Sequence, residues 1–185
     1  AGYPVHDLQS YKYFVGNGME RLVFSVLPPE HRNEETIKVF AQKMKEEYAK
    51  RWNAKTRPYE GIPELLDALE AMRMHMAVLS NKPDNFTKII IKELLPKWKF
   101  AAVYGERDSV PRKPDPAGAL EIAHLLNLNP HEIIYLGDTN TDMKTAVSAG
   151  MHAVGVLWGF RQKDELVASG ANTIIQNPLE LLNII

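Results

Sequence analysis

The stretch that decides the fold is Ile133-Ile134-Tyr135-Leu136-Gly137-Asp138-Thr139-Asn140-Thr141-Asp142-Met143. A run of four apolar residues ends in Gly-Asp, and a second acid follows four positions after the first. The apolar run predicts a buried strand. Residues 141–149 predict a helix closed by Gly150. Both carboxylates then stand at the carboxyl end of a strand, where open α/β sheets keep their ligand sites. Two acids so placed repel each other unless a cation holds them, and hard oxygen ligands suit Mg²⁺. The same residues also suit a plain strand–helix turn with solvated aspartates, because Asp is common in turns. The stretch by itself does not choose.

Outward from it, the pattern alternates. Strands are predicted at residues 76–80, 101–104, 133–136, 153–157 and 173–175. Helices are predicted at 63–72, 84–95, 116–126, 141–149, 163–169 and 178–184. Pro63 falls in a first helical turn, Asp115 is a candidate N-cap, and Phe86, Ile89, Ile90 and Leu94 are expected to point inward. Alternating β and α implies a parallel sheet with helices on both faces. Residues 1–57 hold no convincing strand. There, 36–52 is the clearest helix, with Ile37, Phe40, Ala41, Met44, Tyr48 and Trp52 at helical spacing. Shorter helices at 8–15 and 19–26 flank the turn Gly16-Asn17-Gly18. The expected organisation is a helical domain over residues 1–57 and an α/β domain over 58–185.

Composition bounds the function. The chain has 185 residues, 45% hydrophobic and 24% charged, enough to bury a core in ordinary globular fashion. A net charge of −1 gives no electrostatic case for nucleic acid or acidic membrane. Without cysteine there is neither a disulfide framework nor thiolate chemistry. No apolar run reaches the roughly 18 residues of a membrane span, and no signal peptide is visible. The expected setting is the cytoplasm, as a monomer or homodimer. The histidines share no ligand spacing. The tryptophans read as packing residues and the methionines as core filler.

Two more sites lie after strands. In Val78-Leu79-Ser80-Asn81-Lys82-Pro83, a strand ends in a hydroxyl, then Asn, then a helix start. Such a start can seat a phosphate, with Ser80 and Asn81 as ligands, or Ser80 and Asn81 can simply cap the helix. In Arg112-Lys113-Pro114-Asp115-Pro116, proline pushes Lys113 towards extended backbone, a frame that can aim its ammonium inward. A solvent-exposed lysine in a polar loop is the alternative.

Taken together, these residues resemble the haloacid dehalogenase (HAD) superfamily of phosphohydrolases. Ser80, Lys113, and Asp138 with Asp142 are similar to its second, third and fourth motifs. Tyr13-Phe14-Val15-Gly16-Asn17-Gly18-Met19-Glu20-Arg21-Leu22, Ala149-Gly150-Met151 and Val154-Gly155-Val156-Leu157-Trp158-Gly159 resemble the phosphoglycolate phosphatase group within it. The resemblance covers nearly the whole chain. It implies a HAD-like Rossmannoid parallel sheet with a helical cap domain. It also implies a Mg²⁺-dependent phosphatase acting on a small phosphorylated metabolite such as 2-phosphoglycolate, through an aspartyl-phosphate. Asp138 would hold the metal and Lys113 would neutralise the phosphate. Ser80 would seat a phosphate oxygen, and Asp142 would orient Lys113 or a metal-bound water. Gly16, Asn17, Gly18 and Arg21 would face the substrate, although Arg21 equally suits a surface ion pair.

One departure is large. The family's first motif, Asp-x-Asp-Gly-Thr, supplies the nucleophile, and no Asp-x-Asp occurs in this sequence. The expectation is that a segment of roughly 30 residues, one strand and one helix, is missing ahead of residue 1 and that the fragment is inactive. That strand would lie between the strands at 76–80 and 133–137. They are then expected to be buried on both faces, unpaired with each other, and separated by about twice the 4.8 Å strand spacing. A sugar-phosphate mutase, a pyrophosphatase or a non-catalytic phosphate-binding module are the alternative readings. The Gly16-Asn17-Gly18 region lacks the histidine a mutase cap offers.

Overall fold

The computed structural model describes residues 2–185, which divide into two compact units at Arg57 and Pro58.

The first unit is helical. Helix α1 (Leu8–Phe14) is capped by Asp7, whose carboxylate accepts from the Ser10 N–H at 2.7 Å. Helix α2 (Met19–Val26) starts from Gly18 at φ 85°, a left-handed backbone that favours glycine. Helix α3 (Glu34–Arg51) starts from Asn33, which accepts from the Thr36 N–H at 2.9 Å. Val23, Leu27 and Ala41 form its buried core, with Ile37, Phe40 and Met44 packed against them.

The second unit opens with α4 (Ile62–Ala71) and then runs β1 (Ala77–Pro83), α5 (Asp84–Leu94), β2 (Ala102–Glu106) and α6 (Ala117–Leu126). It continues with β3 (Ile134–Gly137), α7 (Asn140–Ala149), β4 (His152–Val156), α8 (Lys163–Ala168) and β5 (Thr173–Ile175). All strand pairs are parallel. One apolar cluster joins Ala119 and Ala123 of α6 with Met143 and Ala146 of α7 and Leu166 of α8. Another joins Leu65 of α4 with Val154, Val156, Ile175 and Leu181. These strands are therefore covered by helices from both sides, as the alternating pattern requires.

The strands form two sheets, β1–β2 and β3–β4–β5. Strands β1 and β3 do not pair with each other, as the sequence predicts. Both are half-buried rather than fully buried. Among the described residues each has a hydrogen-bonded neighbour on one side only, so one edge lacks the cover a central parallel strand receives.

Four local expectations are corrected. Ile89 is 40% exposed, because Thr87 is the buried residue of α5 and Ile89 stands about 200° round the helix from it. The final helix, Pro178–Asn183, is 3₁₀. Its buried residues, Pro178 and Leu181, are three apart, which suits a three-residue turn. Asp115 does not occupy the N-cap of α6, which is Pro116; it accepts from the Ala117 N–H at 2.9 Å instead. Strand β1 runs on to Pro83, but its regular register with β2 stops at Leu79. Ser80, Asn81 and Lys82 thus leave the ladder, as residues near sites do at bulges.

Candidate active site

Strand β3 ends at Gly137, and Asp138 follows. Thr139 then caps α7: its hydroxyl accepts from the Asp142 N–H at 3.2 Å. Asp142 reciprocates, with Oδ2 accepting from Thr139 Oγ1 at 2.6 Å and from Thr139 N at 3.1 Å. This capping box satisfies donors the helix start would otherwise leave orphaned. It also pins the Asp142 side chain. Thr139→Ala is expected to cost about 1 kcal/mol through the lost cap. That would lower the melting temperature by about 2–4 °C in a chain of this size, measured by calorimetry. An unchanged melting temperature would mean that the cap contributes nothing.

The other Asp142 oxygen accepts from Lys113 Nζ at 2.7 Å. The two side chains are 12% and 9% exposed, so this is a buried ion pair. Lys113 Nζ also donates to the Leu79 carbonyl at 3.0 Å. The ammonium therefore stands between the end of β1 and the helix after β3. Burial by itself would lower the lysine pKa, but Tyr135 and Asp142 outweigh it and the group is held above its ordinary value. Lys113 is not the solvated loop lysine that a polar surrounding allows.

Tyr135 of β3 carries a hydroxyl that is buried with no hydrogen bond among the described residues. Lys113 Nζ lies 6.0 Å from its ring centre, close enough to act on it electrostatically. Burial pushes the phenol up to about 12. It is a neutral wall beside the ammonium at working pH.

Asp138 is held from the far side. Its Oδ2 accepts from the Phe160 N–H at 3.0 Å, and its carbonyl accepts from the Arg161 N–H at 3.1 Å. Burial, and then the neighbouring Asp142 charge, raise its pKa. Each acid also abuts a glycine. A Cβ on Gly159 would fall 2.6 Å from Asp138 Cγ, and one on Gly137 would fall 2.6 Å from Asp142 Cγ. No side chain fits at either place.

Ser80 Oγ accepts from the Lys82 N–H at 3.1 Å, the local turn a hydroxyl makes at a strand end. Ser80, Asn81 and Lys113 line one small cleft with Gly105 and Arg112. The Asn81 amide is engaged with the Lys113 backbone, through Lys113 N–H to Oδ1 and Nδ2–H to Lys113 O, both at 3.0 Å. Gly16, Asn17, Gly18 and Arg21 belong to the helical unit. Gly16 has φ 118°, and the Arg21 guanidinium stacks on Phe24 at 4.8 Å.

Sequence reasoning passed over Tyr135, Gly137, Thr139, Gly159 and Phe160 as site residues. For the glycines the signal was present: a glycine at the end of an apolar run marks close approach of another group. A backbone donor such as Phe160 N–H carries no sequence signal.

The donor set bears on Mg²⁺. Asp138 offers a buried carboxylate whose charge is disfavoured where it stands, and a hard cation would relieve that. Asp142 is committed to Lys113 and Thr139. No cluster of three or more acids, histidines or cysteines that could hold a metal occurs among the described residues. The residues fit a cation that takes one ligand from this chain, not a site complete within it.

Residues 2–156 match the family model for haloacid dehalogenase-like hydrolases. A phosphoglycolate phosphatase of Thiobacillus denitrificans is 31% identical over 87% of this chain and 72% of its own length. An N-acetylmuramic acid 6-phosphate phosphatase of Pseudomonas aeruginosa is 28% identical over 100% of this chain and 81% of its own. The chain spans 64% of the length of a relative from Pseudomonas putida, at 28% identity over 86% of this chain. Among solved structures, a predicted phosphatase from Clostridium acetobutylicum aligns at 26% identity with a TM-score of 0.82, covering 97% of this chain and 82% of that one. A predicted phosphoglycolate phosphatase from Haemophilus somnus shares the fold at a TM-score of 0.89 and 24% identity, over 99% and 84% of the two chains. With the family model matching most of its length and the strand-end acids and lysine brought together, this chain belongs to the haloacid dehalogenase-like hydrolase family.

Proposed function

We propose that this chain holds the phosphoryl group of a small phosphate monoester, 2-phosphoglycolate in the first instance, for Mg²⁺-dependent hydrolysis through an aspartyl-phosphate. The observation that carries the reading is the buried Lys113–Asp142 pair beside Asp138, where β1 and β3 end.

A phosphate monoester repels an attacking carboxylate unless cations offset both charges. Lys113 supplies one such charge, already oriented by Leu79 O and Asp142. Tyr135 limits water on its flank. The Ser80 hydroxyl would donate to a phosphate oxygen. Asp138 would hold Mg²⁺, which would supply the remaining positive charge the reaction needs. The sequence contains no Asp-x-Asp, so we assign the nucleophile to a segment outside these residues and expect this chain alone to be inactive.

The test is phosphate release from a panel of esters, with Mg²⁺ or with EDTA. It is run on the chain alone and on the chain preceded by a strand bearing Asp-x-Asp. Release is expected only when both the segment and Mg²⁺ are present. Equal turnover by the bare chain in EDTA would sink the reading. The panel includes N-acetylmuramic acid 6-phosphate, because the relative of that name aligns over the full chain.

Asp138 makes a further prediction. An acid whose folded pKa lies above its unfolded value binds protons more tightly when folded. Its ionisation therefore weakens the fold as pH rises from the unfolded to the folded pKa, and the penalty is complete above that window. Asp138→Asn removes the penalty and keeps an oxygen for the Phe160 N–H. In EDTA near neutral pH the variant should melt higher than the parent. Mg²⁺ should raise the melting temperature of the parent only. A variant that melts lower in EDTA would contradict this account.

A further inference from the structure

Asn81 is 8% exposed and sits where β1 leaves its ladder with β2. Two of its side-chain hydrogen bonds go to the backbone of one residue 32 positions away. Nδ2 donates to Lys113 O, and Lys113 N donates to Oδ1, each at 3.0 Å. A primary amide presents a donor and an acceptor side by side, so one side chain reproduces both bonds of a strand-pairing step. Nothing comparable follows on the chain, because Pro114 has no N–H to offer. The ammonium of the same lysine is held by the Leu79 carbonyl, two residues before Asn81. The end of β1 therefore grips Lys113 at both ends, its backbone through Asn81 and its charge through Leu79.

We propose that Asn81 is a positioning residue for Lys113 rather than a ligand for the substrate. A lysine side chain has several free torsions, and ordering it costs conformational entropy. Fixing the Cα from both sides leaves only those torsions to order, and Leu79 O and Asp142 then set the aim. A loosened Cα would let the ammonium swing away from Leu79 O and Asp142, out of line with the phosphate seat. The catalytic consequence rests on the phosphatase reading; the structural claim does not.

The first test uses the 185-residue chain labelled with ¹⁵N, in which Lys113 is identified by the signal lost in Lys113→Met. A buried, paired ammonium exchanges slowly and gives a resolved NH₃⁺ resonance. In Asn81→Ala that resonance is expected to broaden or vanish while the circular dichroism is unchanged. Asn81→Asp keeps the bond from the Lys113 N–H and should retain part of the signal; it also serves if the alanine variant fails to fold. A Lys113 resonance unchanged in position and exchange in both variants overturns the proposal.

The second test is kinetic, on the chain carrying the Asp-x-Asp segment. Asn81→Ala is expected to lower kcat by about 10²-fold with little change in KM, the cost of an ångström's misplacement. In a Lys113→Met background it should cost nothing further. A raised KM, or an effect that persists without the lysine, would make Asn81 a substrate ligand and overturn the proposal. A parent protein with no turnover overturns the phosphatase reading alone, and the ammonium resonance then decides the role of Asn81.

Discussion

Lys113→Met is expected to damage both the fold and the activity, and the two losses are separable. The substitution leaves Asp142 charged, 9% exposed and without its cation. Breaking a buried pair from one side costs about 3–5 kcal/mol. Turnover by the chain carrying the nucleophile segment should fall by about 10²–10³-fold, the scale for losing one group aimed at a reacting centre. Adding Asp142→Asn removes the stranded charge, and the amide oxygen still accepts from Thr139. The double variant should recover most of the stability and none of the rate. Urea unfolding and phosphate release measure the two readouts. Recovery of turnover with the stability would mean that Lys113 only supports the fold. Lys113→Arg should also fail, because a planar fork does not replace a compact ammonium lodged between Leu79 O and Asp142.

The second large effect is expected at Gly159. A methyl group there would enter the space of the Asp138 side chain, 2.6 Å from its Cγ. Neither backbone can yield easily, since Phe160 N–H and Arg161 N–H both bond to Asp138. Gly159→Ala should therefore push Asp138, the proposed metal ligand, out of place. Overpacking of this kind costs about 1–3 kcal/mol, and the displaced carboxylate should lower activity by about 10²-fold. Gly118→Ala is the control. Its Cβ would meet only the flexible end of Leu79, at 2.9 Å from Cδ1, and its effect should be smaller. If Gly159→Ala matched Gly118→Ala in rate and in Mg²⁺ requirement, the close approach to Asp138 would have no functional role.

The layering of the second unit was legible because local signals agreed. Apolar runs bounded by polar turns marked β3 and β4, and Gly150 marked the end of α7, where it has φ 72°. The misses came where periodicity alone was asked to decide. Ile89 looks like its apolar neighbours, yet Thr87 faces in because its hydroxyl reaches the Pro83 carbonyl at 3.1 Å. The strand-end residues Ser80, Lys113, Asp138 and Asp142 were visible as types and positions. Their partners were not. Lys113 meets Leu79 from 34 positions away and Asp142 from 29. No window of sequence contains both ends of such a bond. Asn81 shows the limit most plainly: the residue type suits a cap, a ligand or a clamp, and only the fold places its amide on Lys113.

The break between β1–β2 and β3–β4–β5 gives Lys113 a mechanical meaning. No backbone ladder crosses from β1 to β3. Helix α6 spans the break with apolar contacts, and its Ala119 and Ala123 share a cluster with Leu79 on one side and Met143 on the other. At the sheet's carboxyl end, the ammonium of Lys113 ties the Leu79 carbonyl to Asp142. The ends of the two sheets are thus joined by one cation and its counter-ion, in addition to the apolar contacts of α6. Removing either charge is expected to loosen that end of the two sheets first, where chemistry is proposed. Amide exchange should then accelerate first along the facing edges of β1 and β3, well before β4.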